Sequence, residues 1–293
     1  MPKKQGKGKH QGNSEVDPKK PWWKNPVVKV LLWLLGIVAG TVGATLTGGL
    51  KPITDGVFNH FTEHGDPVAV SSLEVAHDES IWATPAGETV SADEALHMSS
   101  DDKEFFSDHH AARISPVGIR LGLQGNRAEK VRVTDLTTEQ TCGPPQNGAF
   151  FEAPNAGADL VIPVTLNLDS PHPVALAPAP QPDPKLKPEP TPYFDANTVS
   201  LAKDEQVFFK VIVVTTKYHC DFRLVITVLE GSEVRKQVID DHGQMFSITP
   251  RLPLKEFQQV YLGGVMCGTR GFHPATKVYI ENQRTYPDSP CVE

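Results

Sequence analysis

The chain has 293 residues and a formal net charge of −7, length enough for a leader followed by one large domain or two small ones. The charge divides by region: residues 1–51 hold nine lysines against two acids, whereas the remaining 242 residues hold 19 basic and 33 acidic groups. An acidic bulk of this kind argues against DNA or RNA as its ligand, and no nucleic-acid partner is expected.

Residues 1–29 are rich in lysine and glycine and too poor in apolar side chains to fold, so they read as a disordered cytoplasmic tail. Residues 30–50 carry no charge between Lys29 and Lys51, and about 20 apolar residues suffice to cross a bilayer. The run Val30–Leu50 is therefore predicted to be a transmembrane helix. The lysine excess before it places the N-terminus in the cytoplasm and the rest outside. Gly36, Gly40 and Ala44 recur at four-residue spacing, a smooth face for a partner helix. A cleaved signal peptide ending near Ala44 is the competing reading. The expectation is a single-pass protein of the cell membrane, with membrane lipid and a membrane or envelope protein as partners.

Residues 51–65 read as a juxtamembrane linker, and residues 66–293 as one extracytoplasmic β-rich domain. Residues 68–84 predict one or two strands. Ser91 followed by Glu94 is a capping-box pattern and predicts a short helix, with a further turn or two in residues 101–112. From Val117 to Leu123 apolar residues alternate with Gly118, Arg120 and Gly122, a period-2 strand with one buried face. Further strands are predicted around Val131, at 160–168, 207–216, 222–229, 233–239, 244–248, 259–262 and 277–280. Pro163 argues for an edge or bulge position. Residues 171–192 hold nine prolines and read as an extended loop or spacer. Turn signals every eight to twelve residues predict a mainly-β, antiparallel immunoglobulin-like sandwich with a minor helical insertion, carried after a single transmembrane helix.

The four cysteines, Cys142, Cys220, Cys267 and Cys291, lie beyond the apolar run and have none of the short spacings of a zinc or redox site. Two disulfides are expected, with three pairings open. No glycine-rich phosphate loop, HExxH or GxSxG motif is present. The densest polar cluster is Asp108-His109-His110, with His97, Asp101 and Asp102 upstream. Adjacent histidines on a helix point about 100° apart, so a polar surface connection is the expected role rather than a zinc site. No catalytic residue, metal ligand or cofactor is expected.

The pattern formed by Gly122, Gln124, Gly125, Val131, Val133, Asp135, Leu136, Cys142, Tyr193 to Asp195, Ser200, Leu201, Cys220, Phe222 and Leu224, behind a lysine-rich leader and one span, resembles a group of uncharacterised single-pass membrane proteins of actinobacteria. That resemblance implies a cell-surface location and brings no activity with it. The function expected is a non-enzymatic, membrane-anchored binding or interaction module. The alternatives are an extracytoplasmic sensor or accessory subunit of a membrane complex and, third, a hydrolase or metal enzyme.

Overall fold

The structure is a computed structural model that describes residues 65–75, 79–154, 162–178, 190–282 and 289–292. Its strands are β1 (Val68–Val75), β2 (Glu79–Ala83), β3 (Ala112–Ile114), β4 (Val117–Gly125), β5 (Val131–Gly143), β6 (Ala149–Pro154), β7 (Ile162–Asn167), β8 (Val199–Leu201), β9 (Gln206–Val214), β10 (His219–Glu230), β11 (Glu233–Ile239), β12 (Phe246–Thr249), β13 (Gln259–Gly264) and β14 (Thr269–Pro274). Four short helices accompany them: α1 (Ala92–His97), α2 (Lys103–Asp108), α3 (Tyr193–Ala196) and α4 (Lys277–Glu281). Glu63–Glu293 form one compact unit.

One sheet has four strands in the order β1-β4-β9-β7. The other has ten, in the order β14-β13-β6-β2-β3-β12-β10-β5-β8, with β11 on β10. Burial in β4 follows its alternation, with Val117, Ile119, Leu121 and Leu123 inside, and β9 does the same with Phe209, Val211 and Val213. These residues share one core with Val131, Val133 and Leu136 of β5 and Leu224, Ile226 and Val228 of β10. The small sheet thus covers one face of the β10–β5–β8 end of the large one.

Along the large sheet, Trp82, Arg113, Ile248, Cys220 and Cys142 are successive register partners, so their side chains share a face. At its β6–β13–β14 end that same face is covered by helices instead. Ala95, Met98 and Phe106 of this helical layer pack on Phe151, Tyr261 and Phe272. Helix α1 lies so close to β14 that a Cβ on Gly271 would run into the Leu96 carbonyl. The opposite face is closed by the turn Leu254–Glu256, Tyr279 of α4 and Cys291, around Phe150, Val260 and Leu262. Between the small sheet and the helices a gap remains above β3, β12 and the start of β10.

Several expectations are corrected. The domain is mostly β, but the sheets do not close into an immunoglobulin-like antiparallel sandwich. Three strand pairs, β3–β12, β6–β13 and β7–β9, are parallel. Alternation reports which face of a strand is buried, not the direction of its neighbour, and parallel pairs join segments far apart in sequence. Residues 277–280 form a helix rather than a strand, because the Thr276 hydroxyl caps it by accepting from the Tyr279 N–H at 3.3 Å.

The membrane reading is the larger correction. Among the described residues no helix is long and apolar enough to cross a membrane. The longest have six residues, about 9 Å at 1.5 Å per residue, against the roughly 30 Å of a hydrocarbon layer. The run Val30–Leu50, with Gly36, Gly40 and Ala44, lies outside the described residues. Among the described residues no anchor therefore supports a single-pass cell-membrane topology with an extracytoplasmic domain. The expected partners, membrane lipid and a membrane or envelope protein, and with them the membrane-anchored surface protein and the membrane-complex subunit, thus have no spanning helix behind them among the described residues.

The cysteines form two disulfides. Cys142–Cys220 joins register partners on β5 and β10, and Cys267–Cys291 ties the turn between β13 and β14 to the C-terminal segment. The ends of the proline-rich stretch return to the same unit. The Ala175 N–H donates to the Leu136 carbonyl at 2.9 Å, Leu176 to Thr165 at 2.8 Å, and Ala177 to Thr191 at 2.9 Å. β7, which carries Pro163, ends its sheet.

Candidate functional site

The gap on the large sheet is a cavity of about 590 Å³, within the range of small-molecule sites. Its walls come from three layers. Val75, Val117 and Ile119 belong to the small sheet, while Lys103, Phe106, Ser107 and His110 belong to α2 and its end. The floor holds Trp82, Arg113, Phe222, Phe246 and Ile248, and the turn residues Asp241 and Gln244 complete the lining.

Local sequence places the α2 wall. Asp102 caps the helix by accepting from the Phe105 N–H at 3.0 Å. The helix closes with the Ala111 N–H on the Phe106 carbonyl at 2.8 Å and the His110 N–H on the Ser107 carbonyl at 3.0 Å. That is a Schellman closure, which puts His110 at the left-handed position usually taken by glycine, and its φ is +50°. Gln146 then locks the chain into β3. Its amide donates to the His110 carbonyl at 3.1 Å, and its oxygen accepts from the Ala112 N–H at 3.0 Å. Arg113 follows on a fixed strand.

Arg113 is the unusual residue. It is 9% exposed, and among the described residues its guanidinium makes no hydrogen bond and has no carboxylate oxygen within 4.0 Å. It lies over the Trp82 ring, 4.1 Å from its centroid, and that ring also stacks with Phe106 at 4.3 Å. Burial pulls the Arg113 pKa down to about 10, outweighing the charges of Asp241 and Asp101, which act in the other direction. Buried charges in folded proteins are paired or hold a ligand, because removing an ion from water without compensation costs several kcal/mol. Here the uncompensated group faces a cavity.

A second polar group lies at the start of β10. His219 Nε2 is 3.7 Å from Asp221 Oδ1, and Asp221 is the register partner of Ser247. The His219 imidazole, with help from the Ser247 hydroxyl, holds the Asp221 carboxyl below its usual range against the opposing effect of burial. The order of these groups matters. Nucleophilic catalysis needs the imidazole between serine and carboxylate so that it can take the hydroxyl proton. In this chain the carboxylate stands in the middle, so the Ser247 proton is directed to Asp221 and not to His219.

The histidines of the sequence cluster do not converge. His97 turns its Nδ1 to the Asp93 carbonyl at 2.7 Å on the exposed end of α1. His110 lines the cavity. His109 is on the other side of α2, with Nδ1 2.8 Å from Glu88 Oε1 and Nε2 3.2 Å from Glu94 Oε1, and its ring against Phe105. Burial lowers its pKa, but the hydrogen bonds and charges of the two glutamates win and raise it. Glu94, the expected capping-box acid, is thereby drawn to His109, while the Ser91 hydroxyl still accepts from the Glu94 N–H at 3.1 Å. Among the described residues no three His, Cys, Asp or Glu side chains gather to hold a metal ion. Cys220 is oxidised, so the His219-Cys220 pair offers no thiol.

The residue that dominates the site, Arg113, was absent from the sequence candidates. Its one signal is a single charge inside the short run Ala111-Ala112-Arg113-Ile114, where a strand buried on both faces has no place for an unpaired cation.

The molecule thus belongs to the broad class of mostly β domains with a ligand-sized cavity at a junction of layers. Comparison with protein-family models, curated proteins and solved structures finds no match to this chain, and no activity or ligand is inherited from a relative.

Proposed function

We propose that this domain binds a small organic carboxylate in the cavity between the small sheet and α2. The observation that carries the reading is Arg113, a residue 9% exposed whose guanidinium is held over Trp82 and forms no ion pair among the described residues. A planar carboxylate matches the fork of an arginine through two parallel hydrogen bonds. A phosphate dianion fits less well, because Asp101 and Asp241 already act on Arg113 and Asp221 also lines the cavity. Phe222, Phe246 and Ile248 give the ligand an apolar bed. The reading is of binding rather than turnover, since Asp221 separates Ser247 from His219.

Isothermal titration of the full chain with apolar monocarboxylates tests it. Binding is expected for wild type and a loss of at least about a hundredfold for Arg113→Met, the cost of an unpaired buried carboxylate. Equal affinity in both proteins sinks the proposal.

A further inference from the structure

The lining of the cavity carries both signs of charge, and their placement says more about the ligand than Arg113 does alone. Arg113 is buried on the floor, while Asp241 is partly exposed on the turn between β11 and β12. Asp241 is close enough to act on Arg113 electrostatically, yet the two form no ion pair. The backbone that carries this carboxylate is held in a tight turn. The Asp241 N–H donates to the Gln244 carbonyl at 2.9 Å and the Gln244 N–H returns to Asp241 at 3.1 Å. His242 and Gly243 between them have φ of +54° and +92°, as a tight hairpin turn requires, and the Gly243 N–H is anchored on Asp240 Oδ1 at 2.8 Å. Among the described residues the one basic side chain within 4.0 Å of the Asp241 carboxylate is His242, whose Nε2 is 3.9 Å away on a side chain 82% exposed, a contact worth little in water. A cation and an anion that line one cavity without forming an ion pair are matched by a ligand that brings the opposite pair.

We infer that the ligand is a small zwitterion of the amino-acid type, with its carboxylate on Arg113, its ammonium toward Asp241, and an apolar side chain on Phe222 and Phe246. This rests on the carboxylate reading above and adds the ammonium to it. The cavity volume of about 590 Å³ accommodates a large apolar side chain. Burial against Trp82 preorganises the Arg113 charge and the turn fixes the backbone that carries Asp241, which lowers the ordering cost that weakens most exposed ion pairs.

The test compares leucine, phenylalanine and tryptophan with the same molecules lacking the amino group (methylpentanoate, phenylpropionate and indolepropionate), titrated into the full chain. At least one amino acid is expected to bind about tenfold or more tightly than its des-amino counterpart. Asp241→Asn is expected to abolish that preference while leaving the des-amino acid's affinity unchanged or improved. Circular dichroism of the variant verifies that the turn still folds. If the des-amino acids bind as tightly as the amino acids, the zwitterion inference falls and the carboxylate reading survives. If no compound of either series binds, both fall.

Discussion

The two most buried arginines with a stated role solve the same problem in opposite ways. Arg127, 5% exposed, is fully engaged. Its Nε donates to Glu230 Oε1 at 2.5 Å, and its terminal nitrogens donate to the carbonyls of Gly65 at 2.8 Å, Asn126 at 2.9 Å and Asp66 at 3.3 Å. It fastens the start of the domain to the turn after β4 and the end of β10. Arg113 has comparable burial but, among the described residues, neither a hydrogen bond nor an ion pair, and its guanidinium lies over an aromatic ring. Burial alone thus says nothing about the purpose of a charge. What separates a structural cation from one reserved for a ligand is whether the fold supplies its counter-charge.

Substitution at Arg127 gives the largest expected effect. Arg127→Met takes the guanidinium from the Gly65 and Asn126 carbonyls, leaves Asp66 with the Asn126 amide at 3.0 Å, and leaves Glu230 with only Arg235, 3.3 Å from its other oxygen. Breaking a buried pair from one side costs about 3 kcal/mol or more, read as a lower unfolding midpoint in urea with an unchanged slope. The same change at Arg113 is expected to have the opposite sign. Arg113→Met removes an uncompensated charge and keeps an adaptable side chain on Trp82. The stability of the ligand-free protein should stay level or rise by about 1 kcal/mol, the desolvation relief exceeding the lost cation–π contact. Were Arg113→Met as damaging as Arg127→Met, the contrast would collapse and Arg113 would be a structural residue.

His109 sharpens the comparison from the back of α2, as a cation that is partnered but can lose its proton. It faces Glu88 on the loop before α1 and Glu94 on α1. Its folded-state pKa lies above the ordinary value of 6.5. Its contribution to stability is therefore complete below that ordinary value and disappears as pH rises through the folded one. Wild type minus His109→Gln, compared by urea unfolding at about pH 6 and about pH 8, should show a stability difference that shrinks at the higher pH. A difference that grows with pH would mean that the imidazole is neutral between its two glutamates. Because α2 also supplies Lys103, Phe106 and Ser107 to the cavity, the clasp holds the wall in place from behind.

Much of this architecture was legible in the chain, but unevenly. Val117 to Leu123 announces its own buried face, and the Ser91 cap marks α1 correctly. Strand β6 escaped because Phe150 and Phe151 are both buried, each in a different core, and a strand covered on both faces shows no period. The run Lys277-Val278-Tyr279-Ile280 suggested a strand by composition, and a single threonine cap decided otherwise. The cavity was the least legible feature. It depends on the parallel pairing of Arg113 and Ile248, residues that are neighbours only after β3 and β12 meet, and nothing in either segment names the other. The cysteines told of oxidation but not of partners, since pairing is set by register.

The smallest effect concerns the backbone beside Arg113. His110 occupies a left-handed conformation with φ of +50°, and a side chain there costs about 1 kcal/mol relative to glycine in the folded state. Glycine in turn loses more entropy on folding, so His110→Gly should raise stability by only about 0.5 kcal/mol. The informative quantity is what happens to binding. Strained residues that persist at a site do so when the side chain is used, and His110 lines the cavity. If the glycine variant is more stable and binds the carboxylate more weakly, the strain is maintained for the ligand, as the missing counter-charge of Arg113 is. If stability rises and affinity does not move, His110 belongs with Arg127 as a structural feature, and the functional part of the wall shrinks to Arg113, Trp82 and Phe106.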